Sequence, residues 1–156
     1  MKKLLALIAF LFAVPVVAQD GSFHVGLSAD TRAGYTLEWP SGLTLTAAVN
    51  GNCVYEHNDG TPGECSFGNL DGLQDFEVAT VGVGYSTDID DTKLRVIAEA
   101  VDAKDTGTTL GVELRLEWDR LGAFLRYGDG LDDADGQEVP LWQHDGAVAG
   151  VLIIFP

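Results

Sequence analysis

The chain has 156 residues, with nine Lys and Arg against 24 Asp and Glu, for a formal net charge of −15. That length is one domain able to bury a core, and 46% apolar against 21% charged residues excludes disorder by composition. The acidic balance excludes a basic patch of the kind that holds nucleic acid or anionic headgroups, and 19 glycines with a single Met point to turns and strands rather than packed helices.

The first 18 residues read as a secretory signal peptide. Lys2 and Lys3 form a positive start, an apolar stretch runs from Leu4 to Val17, and Val16 and Ala18 sit at −3 and −1 of a small-residue cleavage site. The mature domain is then 19–156, and losing two lysines and no acid takes the charge from −15 to −17. No later segment reaches the 18 or more apolar residues of a membrane-spanning helix.

The mature chain alternates with period two. In the stretch 108–118, Leu110, Val112, Leu114, Leu116 and Trp118 share one face, and Gly111, Glu113, Arg115 and Glu117 share the other. A helix would scatter those charges around its circumference, whereas a strand separates them cleanly. The same pattern predicts eight strands, near 22–29, 33–39, 43–55, 76–86, 92–101, 108–118, 121–127 and 147–155. The second, fourth and sixth connections are short, and the two long ones, 52–75 and 128–146, are both odd-numbered. In an up-and-down antiparallel barrel this places every long loop at one end and the tight turns at the other.

Alternation alone does not say whether the apolar face points in or out. Trp39, Tyr85, Trp118 and Phe155 close the even strands and Phe23 opens the first, so five aromatics share the tight-turn end as a membrane-interface girdle would. Tyr55 and Tyr127 are candidates for the opposite girdle. The expected fold is therefore an all-β, eight-stranded antiparallel up-and-down transmembrane β-barrel. On this pattern the chain resembles the small eight-stranded bacterial outer-membrane barrels of the OmpA/OmpX type. The resemblance covers the whole mature sequence, and it departs from the family's terminal Phe because Pro156 follows Phe155. It implies a bacterial outer-membrane location, with outer-membrane lipid and lipopolysaccharide as surroundings.

With the apolar face outward, the lumen receives His24, Ser28, Thr36, Glu38, Thr44, Thr46, Lys93, Arg95, Glu99, Glu113, Arg115, Glu117 and Arg126. The four acids and four bases among them neutralise one another, as desolvated charges must. Arg95, Arg115, Arg126, Glu99, Glu113 and Glu117 are expected to form one cluster on consecutive strands, with Val78, Thr80, Gly82 and Gly84 leaving room for Lys93 and Arg95. An eight-stranded barrel is just wide enough for side chains to fill, so the expected lumen is plugged, the alternative being a small gated pore. The last strand breaks the rule by turning Val148, Gly150, Leu152 and Ile154 inward, as packing or as an acyl slot.

That slot keeps a lipid-modifying enzyme as the third reading. Its Ser–His requirement is poorly met, because His24 and Ser28 lie four residues, roughly 13 Å, apart along a strand. His57 and His144 fall in loops without a neighbouring Ser. The expected protein is non-enzymatic, without cofactor or metal, a monomer with an envelope-structural or surface-interaction role.

The two long loops carry surplus acid without any base. Glu56, Asp59, Glu64, Asp71 and Asp75 lie in the first, and Asp129, Asp132, Asp133, Asp135, Glu138 and Asp145 in the second. The second fails as an EF-hand, since Leu131 and Trp142 would occupy the first and twelfth positions, where Asp and Glu are needed. A solvated acidic face or loose divalent-cation binding remain as its readings. Cys53 and Cys65, the only cysteines, are expected to pair in an exported chain, with a loop-closure benefit of about 3 kcal/mol. Unfolded, non-reduced mature protein should therefore show no free thiol on labelling. Stoichiometric labelling of both cysteines would contradict the pairing.

Overall fold

The computed structural model describes residues 20–51, 54–56, 78–103, 106–130 and 139–156. Eight strands close a barrel: β1 (Asp20–Leu27), β2 (Thr31–Glu38), β3 (Leu43–Asn50), β5 (Val78–Ile89), β6 (Thr92–Ala103), β7 (Gly107–Trp118), β8 (Leu121–Asp129) and β10 (Gly146–Phe155). Two short strands, β4 (Val54–Glu56) and β9 (Val139–Pro140), pair with each other outside the barrel wall. Around the barrel the order is β1, β10, β8, β7, β6, β5, β3, β2, with every neighbouring pair antiparallel. The expected all-β, up-and-down architecture of eight antiparallel strands is the observed one. The proposed leader and both cysteines lie outside the described residues.

Closure follows from the pairing of β1 with β10, which matches Phe23 to Phe155 and leaves no free barrel edge. The tight end is made by two-residue turns at Asp90–Asp91 and Asp119–Arg120, where Asp90 and Asp119 take φ of 54° and 50°. Asp tolerates this left-handed region because its short side chain bonds locally. The third tight turn spans Trp39 to Gly42, where Gly42 has φ 84° and its amide donates to the Trp39 carbonyl oxygen.

The structure corrects three strand boundaries. The third strand, expected over 43–55, stops at Asn50. At Gly51 the amide donates to the Thr31 carbonyl oxygen, and a Cβ there would come within 2.8 Å of the Asp30 carboxylate carbon. Tyr55 consequently belongs to β4 and not to a barrel strand. The second strand begins at Thr31, two residues before its expected start, after a compact turn in which Ser28 Oγ donates to the Asp30 carbonyl oxygen at 2.9 Å and accepts from the Asp30 amide at 3.1 Å. The fourth barrel strand, β5, runs on to Ile89 rather than ending near 86.

The pleat sorts side chains as the alternation demands. Leu110, Val112, Leu114 and Leu116 point outward and are 37–65% exposed, while Glu113 and Arg115 between them are 0% and 1% exposed. Phe23, Tyr85, Trp118 and Phe155 are exposed on the outer surface, with Trp39 half-buried just past β2. The rings of Phe23 and Phe155 sit 5.9 Å apart. Tyr35, opposite Phe23, joins this level, and Tyr127 lies near the other end. Among outward positions of the eight strands the only charged residues are Asp102 and Asp129, both at the loop end.

Candidate functional site

The lumen carries the chemistry. Barrel closure turns His24, Ser28, Thr36, Thr44, Thr46, Arg95, Glu99, Glu113, Arg115 and Arg126 into buried residues, all on the face their alternation assigned. Glu38, Lys93 and Glu117 lie nearer the tight-turn mouth and are partly exposed. The ion pairs fall into two layers, however, and not into one cluster.

The outer layer, toward the tight turns, joins three strands. Lys93 Nζ contacts the Glu38 carboxylate at 2.8 and 3.0 Å, Arg95 Nη1 lies 2.9 Å from Glu38, and Arg95 Nε donates to Glu117 at 3.0 Å. Ser86 Oγ adds a donor to Glu38 at 2.9 Å. The inner layer is organised by Arg32. Its Nη2 donates to Glu99 at 2.7 Å and its Nη1 to Glu113. Glu113 also accepts from Arg115 Nε, and Arg115 Nη1 donates to Thr36 Oγ1 at 3.2 Å. Arg126 Nε stands 3.4 Å from the other oxygen of Glu99.

The register explains the division. Arg95 on β6 is directly opposite Arg115 on β7. Like charges facing one another across a ladder repel, so each guanidinium turns to carboxylates on its own side. Arg32 is the residue the alternation reading missed. It falls just before the predicted start of the second strand at 33, yet it shares parity with Thr36 and Glu38, and that parity is the signal that finds it. β7 lies four strands from β2 in either direction around the barrel. The Arg32 fork therefore spans the full diameter, holding carboxylates on β6 and β7 from the opposite wall.

Gly82 and Gly84 make room as expected, but for different neighbours. A Cβ at Gly82 would lie 2.6 Å from Ile97 Cγ2 and 3.2 Å from Glu99 Cγ, and one at Gly84 would lie 2.8 Å from Ile97 Cα. Lys93 and Arg95 instead face Asp88 and Ser86. The apolar inner stripe of β10 is filled by packing: Val148, Leu152 and Ile154 join one cluster with Val78, Val101, Phe124, Leu141 and Trp142. Trp142 comes from the turn Leu141–Gln143, which enters the loop end of the barrel. Its ring stacks on Phe124 at 6.0 Å and lies 5.6 Å beneath the Arg32 guanidinium carbon. Gln143 fixes this plug by donating to the carbonyl oxygens of Val101 at 3.2 Å and Gly107 at 2.6 Å.

The two ends therefore differ. The loop end is sealed by Leu141, Trp142 and Gln143, all buried. The tight-turn end opens into a cavity of about 430 Å³, rimmed by Asp20, Asp88, Asp90, Asp91 and Asp119, with Glu38, Lys93 and Arg95 deeper. His24 and Ser28 are not brought together. Ser28 Oγ is engaged by the Asp30 backbone, and the His24 ring occupies the space above Gly34, where a Cβ would meet its Nε2 at 2.7 Å. Of the acids expected in the two long loops, Asp129 and Asp145 are among the described residues and the rest, apart from Glu56 in β4, lie outside them; His57 lies outside them too.

No protein-family model, curated protein or solved structure matches this chain.

Arg32 carries the largest single share of the inner layer, because it alone contacts both carboxylates. Arg32→Ala should lower the unfolding free energy by about 3 kcal/mol or more, since it removes two hydrogen bonds to charged groups worth about 1.5–3 kcal/mol each and leaves Glu113 to Arg115 and Glu99 to the longer approach of Arg126. Arg115→Ala should cost less, since Glu113 keeps Arg32. Equal destabilisation by the two variants in urea titrations of the detergent-folded protein would contradict this ranking.

Proposed function

We propose that the chain is a bacterial outer-membrane barrel of the small eight-stranded OmpA/OmpX-like kind, non-enzymatic, with a plugged lumen and acidic loops facing outward. The observation that carries this reading is the sorting of charge: ten ionisable groups of β1, β2, β6, β7 and β8, from His24 to Arg126, turn inward, and the outer wall is apolar. Water would reverse that preference, whereas hydrocarbon enforces it. On β7 the outer face is uncharged for nine residues from Leu110 to Trp118. At 3.3 Å per residue and a tilt of about 40° that spans about 20 Å of height, close to the apolar band of about 25 Å in such barrels. The girdle of Phe23, Trp39, Tyr85, Trp118 and Phe155 supports an interface at the tight-turn level.

The role that follows is structural or adhesive. A barrel sealed by Trp142 and crossed by Arg32 has no through-path, so work at the cell surface falls to the loops, where lipopolysaccharide and divalent cations are the expected company of the acidic residues. A second reading, a small pore, is favoured by the cavity at the tight-turn end, which reaches the outer ion-pair layer. Planar-bilayer recordings separate the two: the plugged barrel gives no steady conductance, and regular single-channel steps would favour the pore.

Membrane residence has its own test. Leu114→Arg places a charge midway down the outer wall and should cost about 2–4 kcal/mol of stability in bilayers. The unboiled wild type should also migrate differently from the boiled one on a detergent gel. A wild type that is monomeric and folded in buffer without detergent, with Leu114→Arg equally stable, would overturn the membrane reading.

A further inference from the structure

The plug is a single turn held differently on its two sides. Both flanking residues are extended, Pro140 at φ −60° and ψ 145° and His144 at φ −66° and ψ 140°, so the chain enters the barrel mouth, turns once and leaves. Only Leu141 to Asp145 lie between β9 and β10. A connection that short leaves no slack, and the position of β9 sets whether Trp142 reaches its seat under Arg32.

The exit side is fixed to the wall. Gly130, just past β8, lies directly against it, because a Cβ there would overlap the Gln143 carbonyl oxygen and the Asp145 amide nitrogen. The chain then enters β10 at Gly146, whose φ of 125° suits glycine alone. On the entry side, β9 pairs with β4, which matches Val54 to Pro140 and Glu56 to Val139 with a shift of register between them. Neither β4 nor β9 joins the barrel sheet. Among the described residues it is thus a segment of the first long loop, and not the wall, that pairs with the entry to the plug.

The seat itself is balanced. Trp142 is buried against Phe124 and Arg32, and Gln143 accepts from Thr106 Oγ1 while donating to the Val101 and Gly107 carbonyl oxygens. Against these contacts, the Trp142 indole N–H is buried with no partner among the described residues, a donor that water would satisfy once the turn withdrew. A short two-stranded ladder is marginal in water, and local opening begins at the least supported contacts.

We propose that the β4–β9 ladder is the latch of a hinged plug. While the ladder holds, Trp142 stays seated and the loop end is closed. A partner that draws the first long loop away parts the ladder, the turn swings out about its exit at Asp145 and Gly146, and the Arg32 guanidinium and the Phe124 ring are uncovered at the loop end. The bonds from Arg32 to Glu99 and Glu113 do not pass through the plug and remain. The inference holds wherever the barrel resides.

Trp142 reports its own position. Trp39→Phe with Trp118→Phe leaves it the sole tryptophan, and acrylamide quenching of its fluorescence is measured on the detergent-folded protein. With the latch intact the indole is expected to be shielded. Adding Val54→Pro and Glu56→Pro removes the amide donors of β4, and the quenching constant is expected to rise severalfold while the unboiled protein keeps its mobility on a detergent gel. Thr108→Ala instead removes an outer-face bond to Asp102 at the same end, and shielding is expected to persist. An unchanged constant in the double-proline variant overturns the proposal, as does an equal rise in Thr108→Ala. If the double-proline variant does not fold, hydrogen exchange of the wild type decides. Amides of 54–56 and 141–143 are expected to open together and before the barrel strands, and plug amides as protected as the strands beside a freely exchanging β4 would overturn the latch.

Discussion

The reach of Arg32 across the barrel is the contact on which the rest of the interior depends. Eight strands enclose a space that side chains alone can fill, and apolar residues would fill it without cost. Here the filling includes two layers of ion pairs. A guanidinium on β2 that holds Glu99 on β6 and Glu113 on β7 ties opposite walls together, and its planar fork fixes their relative height. Buried ion pairs are a weak source of net stability, but breaking one is costly. The network therefore acts less as glue than as a constraint on register: a slip of any one of these strands would strand a charge.

The same constraint organises the ends. Arg32 presents its outer face to Trp142, so the plug is seated on the ionic layer, and its neighbours Phe124 and Leu152 form the apolar floor under it. Beyond the plug, β4 and β9 pair the two long loops with each other, which ties both to the sealed end. Among the described residues the opposite mouth has no such cover. Its acids lie at the rim, with the Lys93–Glu38–Arg95–Glu117 layer behind them. One end is built for closure and the other is left wet, an asymmetry that follows from long loops on one side and two-residue turns on the other.

Most of the wall was legible because a strand's period of two is local: Leu110 to Trp118 declares its two faces without reference to any other residue. Inward residues followed from the same parity, down to the apolar stripe of β10. What was not legible depended on contacts between distant segments. Trp142 sits in a long loop with no period, and nothing local says that it turns into the barrel. Arg32 was hidden by two residues of boundary error, enough to move it from lumen to turn. The split into two ionic layers came from the Arg95–Arg115 register, which alternation leaves open. The girdle positions were readable as residue types at strand ends, whereas Tyr55 was misplaced because the departure of the chain at Gly51 is set by Asp30 from a neighbouring hairpin.

The central claim is that hydrocarbon covers the face of β7 bearing Leu110, Val112, Leu114 and Leu116, while the intervening positions face a closed polar interior. Single spin labels at successive positions 108–118 of the protein folded in bilayers, read for collisions with oxygen and with a water-soluble nickel complex, test it directly. The account predicts an oxygen-accessible, nickel-shielded signal at the even positions 110–116 and low accessibility to both reagents at Gly111, Glu113 and Arg115. Nickel access at the even positions matching that of a water-exposed loop would contradict it.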